Sequence, residues 1–225
     1  MQLKSDAALA RKLAAQDEKE YKKVLERIQK KTEGIVFRVT VDVESKLLEC
    51  GTPAHEDDLA RFEPWKQRLA NFVYTTCCPD HFTVHWIVNY ELEKKFEEAR
   101  EILRGVMGGE EPKELQMFHG TKTQNIDLIL SGGFRIGGVG GHRIVNGTGQ
   151  GYGVYLAEDA SLALGHSAGA NRMFACRVLP GRSTPDMHYS MTVPQEAVGS
   201  GQYESFSCPG VLVVRHTALV LPCYV

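Results

Sequence analysis

Two stretches of this 225-residue sequence set chemistry-bearing side chains next to glycine. The first is Met117-Phe118-His119-Gly120-Thr121, an apolar run that ends on an imidazole and then on a residue with no side chain. A histidine placed where a strand meets a glycine can offer a ring nitrogen and free backbone groups to one ligand. The plainer alternative is a histidine whose ring is satisfied within a core. The second stretch, Gly147-Thr148-Gly149-Gln150-Gly151-Tyr152-Gly153-Val154-Tyr155-Leu156-Ala157, is a glycine-rich loop running into an apolar segment. Such a loop can fold closely over a flat ligand, or it can serve only as a pliant hairpin connection. Two phosphate-binding readings are excluded by order: dinucleotide-fingerprint glycines open a helix after a strand, and a P-loop ends in Gly-Lys-Ser/Thr.

Other clusters carry less. Cys77, Cys78, His81 and His85 are four candidate metal ligands, but adjacent cysteines in extended chain point to opposite faces and the paired C-x-x-C spacing is missing, so no metal is expected. Asp186, His188 and Glu204 have the residue types of an acid–base set, yet nothing in the sequence brings them together. Cys176 and Cys208 read as small buried hydrophobes. Six cysteines at irregular spacing do not make a disulfide framework and read as free thiols in a reducing compartment. With a charged N-terminal stretch and no apolar run near the roughly 18 residues of a membrane span, the expectation is an intracellular protein, cytoplasmic or nuclear. The formal charge of −2 gives no nucleic-acid signal, because such proteins carry a strong excess of Lys and Arg.

The elements that must position these residues can be read from periodicity. Residues 2–31 are rich in helix formers and lack Gly and Pro; a seam at Leu3, Ala7, Ala10, Ala14, Asp17, Tyr21, Val24 and Ile28 would pack on its own domain or pair with a partner helix, a second copy included. Period-two alternation predicts a strand over 35–43, a loop follows over 49–64, a helix over 65–74, and a second strand over 82–88. Residues 90–106 predict a charged amphipathic helix with Leu92, Phe96, Ile102 and Leu103 among its apolar positions, ended by Gly108 and Gly109. After a short helix near 125–130, short apolar runs alternate with turns to the C-terminus, an α+β layout. The composition shift places a helix, strand and loop region at 1–81 before a mostly β domain at 82–225.

Taken in order, FHGT at 118–121, Asn125, Ile129, Leu130, Gly133 and Phe134, GQGYGVYLAEDAS at 149–161, YES at 203–205 and PGVLVV at 209–214 resemble the catalytic domain of the poly(ADP-ribose) polymerase family, the diphtheria-toxin-like ADP-ribosyltransferases. The resemblance implies an ADP-ribosyltransferase fold of split antiparallel sheets, with an N-terminal helical segment and NAD as co-substrate without a metal. It implies that His119 hydrogen-bonds a ribose hydroxyl of NAD, that the Gly120 backbone holds the nicotinamide amide with Thr121 beside it, and that Tyr155 covers one face of the nicotinamide, with Tyr152 nearby. The third position of the family's site falls on Val211. In chain-building members it is a glutamate, and valine accepts no hydrogen bond, so transfer of a single unit is implied, to a protein acceptor or, as the alternative, to a nucleic-acid one.

Two positions depart from the family pattern. Counting on from Tyr155, the serine that usually bonds the nicotinamide amide falls on Ala163, with Ser161 nearby as a substitute if the helix shifts, and the second stacking aromatic falls on His166. Gln202-Tyr203-Glu204 has the Gln-x-Glu spacing of some toxin-type transferases, so Glu204 is a candidate for the missing carboxylate, or else a solvated loop residue. The alternative to an enzyme is a module of the same fold, catalytically inactive, that binds a nucleotide weakly or acts as a protein-interaction surface.

Overall fold

The amphipathic stretch after Asn89 folds as its spacing predicts. In the computed structural model, which describes residues 35–42, 48–50, 64–65, 68, 81–87, 89–142, 149–167, 169–170, 172–194 and 197–225, helix α1 is Tyr90–Val106. Asn89 caps it: its side-chain oxygen accepts from the Leu92 N–H at 3.2 Å, satisfying one of the donors that a helix start leaves open. The Asn89 amide also donates to the carbonyls of Leu130 and Ser131 at 2.9 and 3.2 Å, at the end of α2, Thr123–Gly132. One side chain thereby fastens both helices. Phe96, Ala99 and Leu103 of α1 join Ile126, Ile129 and Leu130 of α2 in one buried core with Met117, Leu156, Phe174 and Val214. Ile102 lies outside that stripe, 46% exposed; the 4-3-4 spacing of positions 92, 96, 99 and 103 gives its place to Ala99.

Among the described residues ten strands form the sheet: β1 Ile35–Asp42, β2 Leu48–Cys50, β3 His81–Ile87, β4 Leu115–Gly120, β5 Val154–Ala157, β6 Met173–Val178, β7 Ser183–Thr184, β8 Ser205–Cys208, β9 Val211–Val214 and β10 Val220–Tyr224. Their order is β2-β1-β3-β10-β6-β4-β5-β9-β8-β7. Every pairing is antiparallel except that of β7 with β8. With two further short helices, α3 Ala160–Gly165 and α4 Met187–Ser190, the architecture is the expected mixed α+β. β1 and β2 precede residue 82 and join the sheet by pairing β1 with β3. Glu49 and Cys50, read from sequence as the start of a loop, are instead the end of β2. Pro64, Trp65 and Arg68 are helical; the expected helix over 2–31 and the rest of that over 65–74 lie outside the described residues. No helix among the described residues is long and apolar enough to cross a membrane.

The sheet is split between β4 and β5. β4 pairs with β6 over its whole length, from Leu115↔Val178 to Gly120↔Met173, and β5 pairs with β9 from Val154↔Val214 to Ala157↔Val211. Between β4 and β5 one position is in register, Phe118↔Ala157. Alternation along β4 sends Met117 and His119 towards the α1–α2 core, where the His119 ring meets Phe134 edge-on at 4.9 Å. It sends Phe118 and Gly120 to the other face, against Trp65 and α3.

Outside the core, α1 is locked to the sheet by charge. Glu114 accepts from Arg177 Nε and Nη2 at 2.7 and 2.8 Å and from Arg100, and the two guanidinium groups lie over the Phe96 ring at 5.1 and 5.4 Å. Burial alone would raise the Glu114 carboxyl; hydrogen bonds from Arg177 and Arg100 outweigh it and hold it below its usual value. A depressed carboxylate adds stability above its unfolded value and loses it as pH falls through the folded one. Glu114→Gln should therefore cost about 1–2 kcal/mol at pH 7, a melting point about 3–6 °C lower, and the gap to wild type should close as thermal melts are taken from pH 6 down to pH 3.

Candidate active site

A cavity of about 980 Å³ opens at the split, at the upper end of the range for small-molecule sites. Of the nine residues singled out from sequence, His119, Gly120, Thr121, Tyr152, Tyr155, Ala163, His166 and Val211 line it. Ser161 does not. It is exposed in the first turn of α3, where Asp159 caps the helix by accepting from the Ser161 N–H at 2.7 Å and from its hydroxyl. That hydroxyl is engaged by the cap and turned from the cavity.

His119, the penultimate residue of β4, is half-buried. Its Nδ1 lies 2.7 Å from the Tyr155 carbonyl, and a carbonyl oxygen only accepts, so Nδ1 carries the proton and Nε2 keeps a lone pair. Burial depresses the imidazole, with the charge of His166 acting the same way and the Tyr155 carbonyl opposing. The ring is neutral at physiological pH, an acceptor suited to a hydroxyl. Behind it the chain must be glycine: a Cβ on Gly120 would meet the Ala163 carbonyl oxygen at 1.6 Å, so a side chain there would force β4 and α3 apart.

Tyr155 stands on the other strand of the split. Its hydroxyl donates to the Gly151 carbonyl at 2.7 Å and accepts from the Gln150 N–H at 3.0 Å, which fixes the ring against the glycine-rich loop. Burial raises the phenol above its ordinary value, with the Gln150 N–H opposing, so it stays un-ionised. The loop has its own anchor. Gly151 adopts φ +93°, and a Cβ there would meet the Ser190 carbonyl at 2.1 Å, while the Tyr152 N–H donates to that same oxygen at 3.0 Å. Arg215, 3% exposed, donates to the Tyr189, Ser190 and Thr192 carbonyls at 3.1, 3.0 and 2.9 Å and stacks over Tyr189 at 4.7 Å. Burial lowers its pKa, yet the guanidinium remains charged. Sequence reading passed over Arg215; the clue was a charge directly after the apolar run Val211-Leu212-Val213-Val214, which must find oxygen partners if buried.

The remaining walls are cationic or neutral. Lys122, Arg135 and His142 line the cavity, and no Asp or Glu is among its described lining residues. That lining suits a ligand with a pyrophosphate. Glu204, the candidate carboxylate, is not in the lining: it is fully buried and accepts from the Arg182 N–H, Nε and Nη2 at 2.8, 3.1 and 2.6 Å. Among the described residues no three His, Cys, Asp or Glu side chains gather as a metal site; Cys77 and Cys78 lie outside them.

A sheet split beside a cavity, with a neutral imidazole on one lip and a tied-down tyrosine on the other, is the architecture of an ADP-ribosyltransferase. The poly(ADP-ribose) polymerase catalytic domain matches residues 67–209, more than half of the chain, and the protein belongs to that family. The match takes in β4, β5 and the glycine-rich loop between them and stops just before Val211. No curated protein matches the chain. Family membership gives the reaction in general terms, ADP-ribosyl transfer with NAD as co-substrate.

A ligand hydroxyl bound to Nε2 is lost when His119 takes up a proton. NAD affinity measured by calorimetry should hold from pH 8 to 7 and fall as pH drops through the depressed pKa of His119, below the ordinary 6.5. In His119→Ala the affinity should be weaker at pH 7 by about tenfold, the loss of one hydrogen bond, and should no longer show that titration.

Proposed function

We propose that this protein transfers a single ADP-ribose unit from NAD to a protein acceptor. Nε2 of His119 accepts from a hydroxyl of the nicotinamide ribose, the Gly120 backbone holds the carboxamide, and the fixed ring of Tyr155 covers the pyridinium. The bond from C1 of the ribose to the pyridinium nitrogen breaks with its electron pair moving onto that nitrogen. Neutral nicotinamide leaves, and the oxocarbenium-like centre is captured by the acceptor, which sheds its proton as the new bond to C1 forms. The irregular spacing of the six cysteines supports a reducing intracellular compartment for the protein.

The observation that carries the single-unit reading is Val211 in the cavity lining, with Glu204 committed to Arg182. Elongation needs an acceptor group that orients and activates a ribose hydroxyl of the previous unit, and an isopropyl group offers none. Labelled product should run as one sharp band. A high-mass smear from the wild type would overturn the assignment.

Ala163 and His166 favour the second reading, a nucleotide-binding module without turnover, because a methyl group and an exposed imidazole hold a carboxamide less firmly than a hydroxyl and a tyrosine ring. The neutral acceptor at His119 and the locked Tyr155 favour an enzyme. If these two positions limit nicotinamide binding, Ala163→Ser with His166→Tyr should tighten NAD by about one to two powers of ten. The same pair of changes should have no effect in a His119→Ala, Tyr155→Ala background. Unchanged affinity in the otherwise intact protein would show that neither position faces the nicotinamide.

A further inference from the structure

The two lips of the site stand on strands that share one backbone position, so something besides the ladder must hold them apart at a fixed distance. One side chain reaches both. Arg68 donates from Nη1 to the Gln116 carbonyl on β4 and from Nη2 to the Glu158 carbonyl just past β5, the latter at 3.0 Å. Its guanidinium lies 5.7 Å over the ring of Phe118, the β4 member of the single pair, and Trp65, one turn earlier, meets that ring edge-on at 5.8 Å. On the other side of the pair, the His119 Nδ1–H reaches the Tyr155 carbonyl at 2.7 Å. The junction is bridged three times in sequence: by a guanidinium, by one backbone pair, and by the site histidine itself.

We infer that Arg68 is a positioning residue, which sets the separation of β4 and β5 and through it the bond between His119 and the Tyr155 carbonyl. Arg68 does not line the cavity, so it acts through the strands and not on a ligand. Only a planar fork serves here. Two carbonyls on different strands are met by the two terminal nitrogens of one rigid group, whereas a lysine ammonium is a single point on a flexible stem. Without the fork, one carbonyl or both must turn to water, and the strands are free to splay beyond Phe118↔Ala157. The histidine bond, at 2.7 Å on the other side of that pivot, is the contact that such a movement breaks first. The functional half of this inference rests on the NAD reading of the cavity.

The test uses the full chain with three substitutions. Arg68→Met keeps the stem over Phe118 and removes both donors; Arg68→Lys keeps the charge and loses the fork; Arg104→Met removes ion pairs to Glu101 and Glu111 away from the junction. The first readout is the His119 Nδ1–H proton resonance in ligand-free protein, with its protection from solvent exchange. The second is NAD affinity by calorimetry. A protected proton is expected in wild type and Arg104→Met, and loss of protection in both Arg68 variants, with NAD binding at least about tenfold weaker. A merely structural role would lower the melting point and leave the resonance in place. Should Arg68→Met fail to fold, Arg68→Lys decides by the same readouts. A protected His119 proton in the folded Arg68 variants, or NAD affinity equal to wild type in them, overturns the inference. If wild type itself binds no NAD, the NAD reading fails on its own, and the resonance still decides the role of Arg68.

Discussion

A β-sheet is held together by satisfying backbone donors and acceptors along its strands, and at the junction beside the cavity this protein gives up most of that satisfaction. Between β4 and β5 only Phe118↔Ala157 remains in register. The site is what occupies the opening. Everything that keeps it in shape supplies by side chain what the ladder no longer supplies by backbone: the His119 ring to the Tyr155 carbonyl, and Arg68 to the Gln116 and Glu158 carbonyls.

The same substitution of side chain for ladder recurs one layer out. The described part of the glycine-rich loop hangs from the Ser190 carbonyl, which is itself held by Arg215. Glu204 and Arg182 do comparable work beneath the 197–204 turn, where Arg182 also donates to the Gly201 carbonyl at 2.7 Å. Glu204 is fully buried, so removing Arg182 would strand its charge, and removing Arg215 would leave loop carbonyls without their donor. The contribution of these charges is geometric. They fix the backbone of loops that otherwise touch the hydrophobic core through single side chains, Tyr152 in one and Val198 in the other.

What was legible in the sequence was local. The 17-residue α1 follows from periodicity and the glycines after it, β4 and β5 from apolar runs beside glycine, and His119 and Tyr155 lie in motifs a few residues long. The polar scaffold was not legible, because its partners are backbone carbonyls far away in the chain: Arg68 reaches 48 and 90 residues on, and Arg215 reaches back 23 to 26. A carbonyl has no residue type, so no pattern of residue types reports it. Ser161 is a different case. Asp159 two residues before it already spelled a helix cap, a local reading that was available and that competes directly with a role in the cavity. Ile102 shows the remaining limit: in a helix with many apolar residues, the face that packs is decided by what it packs against.

The hydroxyl of Tyr155 is occupied on both sides, giving its proton to Gly151 and taking one from Gln150. A ligand in the cavity therefore meets an aromatic surface and not a phenol. The tyrosine shapes the site without exchanging protons with what is bound there, and the same bonds that immobilise it make it chemically mute. With no carboxylate among the described walls, the side chains there that can carry or pass a proton are nitrogen bases, His119, His142, His166 and Lys122, and whatever binds against them is met by donors and neutral acceptors but by no fixed negative charge.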